Sequence, residues 1–219
     1  TYALRKSGVL CAAGKRDGAL TVLETIIMST RTSHLTPRPG IMYISPYVGG
    51  RAAIDGHQNV IRLASNESAL GPSPRAVAAY EGESSALHRY PDGGASDLRA
   101  ALGDLHQIDS ARIVCGTGSD ELLQLLTKSY AGPGDEVLYS RHGFLVYALA
   151  AHAAGATPVS APETDCRADV DSLLAHVSDK TRILFLANPN NPTGSYLTKT
   201  ELRRLWSALP ENILLVIDA

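Results

Sequence analysis

Two nearly unbroken apolar runs, at 182–187 and 213–217, most constrain the fold, because a strand that is apolar at consecutive positions must be covered on both faces. Shorter runs at 112–115, 136–139 and 157–160 precede them, and helical patterns fall between. Strands alternating with helices in this way predict crossover connections and a mostly parallel sheet, hence an α/β chain. The helices are expected over 96–105, with Leu98, Ala101, Leu102 and Leu105 facing inward, and over 119–130, with Leu123, Leu126 and Tyr130 on one stripe. Two more are expected over 145–154, stopped by Gly155, and over 198–209, closed by Pro210.

The first sixty residues follow another rule. Residues 29–50 hold Pro37, Pro39 and Pro46 and read as an extended arm, while 1–27 show no clear period. Met28 stands between them as an alternative start, which would make 1–27 a non-native extension. The division expected is therefore 1–27 unassigned, 28–60 an N-terminal arm and 61–219 an incomplete α/β domain.

Composition excludes several function classes. Lys and Arg number 20 against 22 Asp and Glu, a formal charge of -2 that gives no general attraction for polyanions, so no nucleic-acid partner is expected. No stretch approaches the roughly 18 apolar residues of a spanning helix, and no membrane partner is expected either. Three scattered cysteines, Cys11, Cys115 and Cys166, make neither a disulfide framework nor a zinc site, and the expected compartment is the cytoplasm. No metal site is expected.

Four segments carry chemistry. Cys115-Gly-Thr-Gly-Ser-Asp-Glu121 joins a predicted strand to a helix, where small residues let N–H groups converge at a positive helix end and cradle a phosphate. Taken alone, such a glycine pair is more often a tight turn. Asn188-Pro-Asn-Asn-Pro-Thr-Gly194 follows the longest apolar run, at the carboxyl end of a strand where open α/β sheets bind ligands, and one Asn-Pro bond is expected to be cis. Asp218 ends the last strand, where a partly desolvated carboxylate would hold a cation. Phe144 and Tyr147 offer a flat aromatic face, although core packing is the commoner fate of such rings.

Together with Leu63-Ala-Ser-Asn-Glu-Ser-Ala-Leu-Gly-Pro-Ser-Pro74 and His88-Arg-Tyr-Pro-Asp92, these segments resemble the fold-type-I pyridoxal-phosphate aminotransferases, most closely their histidinol-phosphate aminotransferase branch. Gly116-Thr-Gly-Ser-Asp-Glu121, His142-Gly-Phe-Leu-Val-Tyr147 and Val216-Ile-Asp-Ala219 match in the same order, and the resemblance spans about residues 38–219. It implies a three-layer α/β/α large domain with a mostly parallel sheet, truncated, and pyridoxal 5'-phosphate as cofactor. The cofactor phosphate would sit on Gly118, Ser119 and Asp120, and Tyr90 of a homodimer's neighbouring subunit would reach it. Phe144 would stack on the ring, Asn191 would bond its phenolic oxygen and Asp218 would pair with its protonated nitrogen. Asn66 and Glu67 are weaker site candidates, a turn role being as expected.

One departure dominates. The family's Schiff-base lysine has no counterpart among Lys6, Lys15, Lys128, Lys180 and Lys199, so no catalytic residue is assigned and the lysine is expected beyond residue 219. Ser68-Ala69 also stand where relatives commonly have asparagine and proline. The implied activity is exchange of an amino group between histidinol phosphate and 2-oxoglutarate, both small-molecule substrates, in histidine biosynthesis. Another class I/II aminotransferase (aromatic or aspartate), a threonine-phosphate decarboxylase and a non-catalytic remnant stay open as alternatives.

Overall fold

The computed structural model describes residues 37–44, 55–56, 66–68 and 70–219. Contacts group the chain into two units, 1–38 and 39–219, and the elements below belong to the second. The expected extension 1–27, most of the arm and residues 63–65 and 69 lie outside the described residues.

Six helices are seen among the described residues: α1 (Pro74–Glu83), α2 (Ser96–His106), α3 (Ser119–Tyr130), α4 (Leu145–Ala154), α5 (Val170–Ala175) and α6 (Lys199–Ala208). Strands β1 (Glu136–Ser140), β2 (Thr157–Ala161), β5 (Thr181–Ala187) and β6 (Leu214–Asp218) form one sheet in the order β2-β1-β5-β6, every pair parallel. A short antiparallel ribbon, β3 (Glu163–Thr164) with β4 (Arg167–Ala168), stands apart from it.

Alternation along the central strands sorts the core onto two faces. Val137, Ile183 and Phe185 pack with Leu123 of α3 and with Val146, Tyr147 and Ala151 of α4. Leu138, Leu184 and Leu186 point the other way, onto Leu173 of α5 and Leu205 of α6. Two helical layers thus enclose β1 and β5, which is why β5 tolerates an apolar residue at nearly every position. Helix α6 begins at a capping box: Thr198 Oγ1 accepts the Glu201 N–H while the Glu201 carboxylate accepts the Thr198 N–H.

The parallel strands give the sheet two unlike rims. At the starting rim, Arg182 pairs with Asp135 at 3.2 Å and Glu136 accepts a hydrogen bond from Ser178. At the finishing rim, the turns after β1 and β5 emerge side by side. The chain passes from β1 to β2 on one flank and then places β5 on the other, so the order reverses between β1 and β5. Open α/β sheets bind ligands at such a reversal.

Several expectations change here. Residues 112–115 form no strand: a 3-10 turn (Ser110–Arg112) leads into irregular chain, with Val114 exposed and no neighbouring strand among the described residues to complete a ladder. Helix α2 forms where expected, but Leu98 and Leu105 are exposed and Gly103 is its one buried residue. On α3 the buried stripe is Leu123 and Thr127, one turn apart, and Tyr130 is exposed. Strand β6 is half-buried rather than covered on both faces, since it edges the described sheet.

The cap of α6 carries a pH prediction. Bonds from the Arg167 guanidinium, then from the Thr198 hydroxyl and N–H, hold the Glu201 carboxyl down at about 2 against an ordinary 4.5. A carboxyl lowered by folding contributes stability that is complete above its ordinary value and is lost as pH falls through about 2. Glu201→Gln in the intact protein is expected to flatten the stability-versus-pH curve within that acid window and to leave its slope above pH 5 unchanged, as read from denaturant midpoints.

Candidate active site

The finishing rim collects the polar groups that the sheet does not use. Asp218 closes β6, and its position is set twice: its carbonyl accepts the Asn188 N–H at 2.8 Å and its Oδ2 accepts the Tyr147 hydroxyl at 2.8 Å. Tyr147 is held from behind. Its ring is fully buried and stacks on Phe185 at 4.8 Å with 9° between the planes, and Phe144 meets it edge-on at 6.0 Å. Burial, then the bond to Asp218 and its charge, raise the phenol far above its ordinary range, so Tyr147 donates its proton to Asp218 at any physiological pH. The aromatic pair noted in the sequence therefore divides: Phe144 is half-buried at the rim and Tyr147 belongs to the core.

The turn after β1 approaches Tyr147 closely. A Cβ on Gly143 would lie 2.9 Å from the Ser140 carbonyl oxygen and 3.3 Å from two carbons of the Tyr147 ring, so only glycine fits. That turn is tied to the turn after β5 by Asn190, whose Nδ2 donates to the His142 carbonyl at 3.1 Å and to Thr193 Oγ1 at 2.8 Å. Asn190 is buried, and its Oδ1 has no hydrogen-bond partner among the described residues. Both Asn188–Pro189 and Asn191–Pro192 are cis, where one such bond was expected. Asn191 itself is exposed, at the tip of the turn.

The glycine turn leads into α3. Gly118 caps the helix with φ of 81°, a left-handed value that favours glycine, and it leaves the first-turn N–H groups facing out of the helix end. Glu121 closes the turn from below, accepting the Thr117 N–H at 2.6 Å and the Thr117 hydroxyl at 3.0 Å. These bonds hold its carboxyl below the ordinary range. Asp120 and Phe144 line one cleft of about 450 Å³ with Gln124 and Val146, which places the start of α3 beside the start of α4.

Of the residues expected from the sequence, Asp120 and Phe144 share that cleft, and Phe144 and Asp218 both meet Tyr147. Gly118 and Ser119 adjoin Asp120 along the chain. Asp218, Asn191 and Gly118 do not line the cleft, and Tyr90 is 96% exposed, touching none of this cluster. The groups that sequence reasoning passed over are the Tyr147 hydroxyl, the Asn190 amide and the Glu163–His142 pair. Only Asn190 left a signal, as one of three asparagines in a turn where each amide needs a partner. No cluster of His, Cys, Asp or Glu among the described residues could hold a metal ion, and no described helix is long and apolar enough to cross a membrane.

The chain is 63% identical over 183 residues to a histidinol-phosphate aminotransferase of Paramagnetospirillum magneticum, covering 84% of this chain and 50% of that protein. A protein of the same name from Rhodospirillum centenum is 61% identical, over 84% of this chain and 51% of the relative. The chain thus spans about half the length of the curated relatives it matches. Among solved structures, a histidinol-phosphate aminotransferase from Sinorhizobium meliloti in complex with pyridoxal-5'-phosphate superposes with a TM-score of 0.67 at 32% identity, over 69% of this chain and 42% of that one. The family model for aminotransferase class I and II matches residues 58–219, well over half of the sequence. A parallel sheet with its polar groups gathered where the strand order reverses is the scaffold such a match predicts, and this chain belongs to the class I and II aminotransferases.

Proposed function

We propose that these residues form the coenzyme-binding half of a histidinol-phosphate aminotransferase, which moves an amino group from histidinol phosphate to 2-oxoglutarate and yields imidazole acetol phosphate and glutamate. The observation that carries the reading is the 63% identity to a relative of that name. Class I aminotransferases depend on pyridoxal 5'-phosphate, and the site suits that group. Asp218 is half-buried yet makes no ion pair among the described residues, so it offers a carboxylate to a cation not drawn from them. The open first turn of α3 offers donors to a phosphate.

In this reading Gly118, Ser119 and Asp120 hold the phosphate, joined by Tyr90 from the other subunit of a homodimer. Phe144 covers the ring, Asn191 bonds its phenolic oxygen and Asp218 holds a proton on its nitrogen. The bound coenzyme supplies an electron sink for the carbon that loses its amino group. The chain's own part is to keep that sink effective: Tyr147 stays protonated and donates to Asp218 Oδ2, which aims the carboxylate. In this reading the lysine that would exchange with the substrate amine is none of those among the described residues. Lys128, Lys180 and Lys199 are exposed side chains outside the site. Cys115 and Cys166 are free thiols, which fits the cytoplasm as compartment.

The test is an assay of the 219 residues alone and of the intact protein, on histidinol phosphate and on phenylalanine with 2-oxoglutarate. We expect no turnover from the 219 residues, and turnover of histidinol phosphate well above that of phenylalanine from the intact protein. An intact protein that leaves histidinol phosphate untouched refutes the assignment.

A further inference from the structure

One buried carboxylate has no part in the proposed chemistry. Glu163 opens the β3–β4 ribbon with its side chain 2% exposed, yet no Lys or Arg pairs with it among the described residues. Both its oxygens meet His142, 21 positions earlier: Oε1 accepts the His142 N–H at 2.9 Å, and Oε2 lies 2.7 Å from His142 Nδ1. Burial is the largest single influence and pushes this carboxyl up, but the bonds from the His142 N–H and ring, a bond from the Ser140 side chain and the His142 charge together hold it below its ordinary range, so Glu163 meets the ring as an anion.

The rest of the ribbon grips the other turn. The Cys166 carbonyl accepts from Ser195 Oγ at 3.0 Å, Arg167 Nε donates to the Tyr196 carbonyl at 3.0 Å, and Arg167 Nη2 reaches Glu201 at 2.6 Å. Ser195 in turn accepts the Asn190 N–H at its carbonyl, and Asn190 Nδ2 returns to the His142 carbonyl. The contacts close a ring: ribbon to His142, His142 to Asn190, Asn190 to Ser195, Ser195 to ribbon. Hydrogen bonds sharing members in this way support one another.

From this closed ring we propose that the β3–β4 ribbon is a bracket for the active site, and that Glu163 is a positioning residue, setting through His142 the turn that carries Phe144 against the turn that carries Asn191. Glu163 touches none of the reacting groups. Its value for catalysis rests on the coenzyme reading of Phe144 and Asn191, whereas the mechanical linkage does not.

Hydrogen–deuterium exchange on the intact protein without coenzyme tests the linkage. Glu163→Ala is expected to speed exchange about tenfold or more in both 141–147 and 190–197, the scale of losing a hydrogen bond to a charged group. Glu163→Gln keeps an acceptor for the His142 N–H and decides the matter if the alanine variant fails to melt cooperatively; its faster exchange is expected in the same two segments, to a lesser degree. Faster exchange confined to 163–168 in the variant that folds overturns the bracket. A second arm adds pyridoxal 5'-phosphate and records the circular dichroism of its visible band per bound coenzyme. The alanine variant is expected to alter that band and the glutamine variant to restore it in part; an unaltered band in the alanine variant overturns the positioning role. A wild-type protein that shows no band at all refutes the coenzyme reading, while the exchange data still decide the bracket.

Discussion

Asp218→Asn in the intact protein is expected to lower turnover by two orders of magnitude or more while leaving the fold in place. The substitution keeps the size of the side chain and the carbonyl bond to the Asn188 N–H, so strand β6 has no reason to move. What disappears is the negative charge. Taking one partner from a desolvated ion pair costs about 3–5 kcal/mol, and each 1.4 kcal/mol is a factor of ten. Tyr147→Phe provides the contrast: it preserves the stack on Phe185 and removes one hydrogen bond to a charged group, a loss of about 1.5–3 kcal/mol. Steady-state kinetics beside a thermal melt separate these effects. Turnover of the Asp218→Asn protein within tenfold of wild type would show that the carboxylate is not the partner of the ring nitrogen.

Phe185→Ala is expected to have the largest effect on stability. Phe185 lies at the centre of β5, fully buried, and truncating a buried Phe costs about 3–5 kcal/mol through lost transfer energy and the cavity left behind. The damage also travels. Phe185 is the flat surface on which Tyr147 rests, so the cavity opens behind the ring that donates to Asp218. Such a variant should therefore lose both denaturant midpoint and coenzyme affinity. Leu184→Ala, equally buried on the opposite face of the sheet, should lose stability with far less effect on affinity. Equal loss of affinity in the two variants would show that Tyr147 does not depend on its stack.

These contrasts mark what the sequence makes legible. Helix α4 could be read to the residue because an apolar pattern, a starting Leu145 and a stopping Gly155 agree locally. Helix α3 and strands β1, β2, β5 and β6 were readable within a residue or so for the same reason. The run at 112–115 was apolar enough for a strand, but a strand is a relation with a neighbour, and none stands there among the described residues. The β3–β4 ribbon escaped notice because two-residue strands joined by Asp165 and Cys166, both at positive φ, have neither period nor glycine to announce them. Within the site, Asp218 and the asparagine turn could be picked out by their place at strand ends. The Tyr147 hydroxyl could not, since its partner is 71 residues away and is set by the register of β5 with β6.

The unlike rims of the sheet have an evolutionary corollary. Because every strand of this sheet leaves from the side held by Asp135, Glu136 and Arg182 and arrives at the side that holds Asp218, part of the durability is written away from the chemistry. A lineage adapting to heat can rewrite the departure side without disturbing reactivity. One acquiring a new substrate must rewrite the arrival side, where Gly143, Asn190 and the Tyr147–Asp218 bond also hold the turns together.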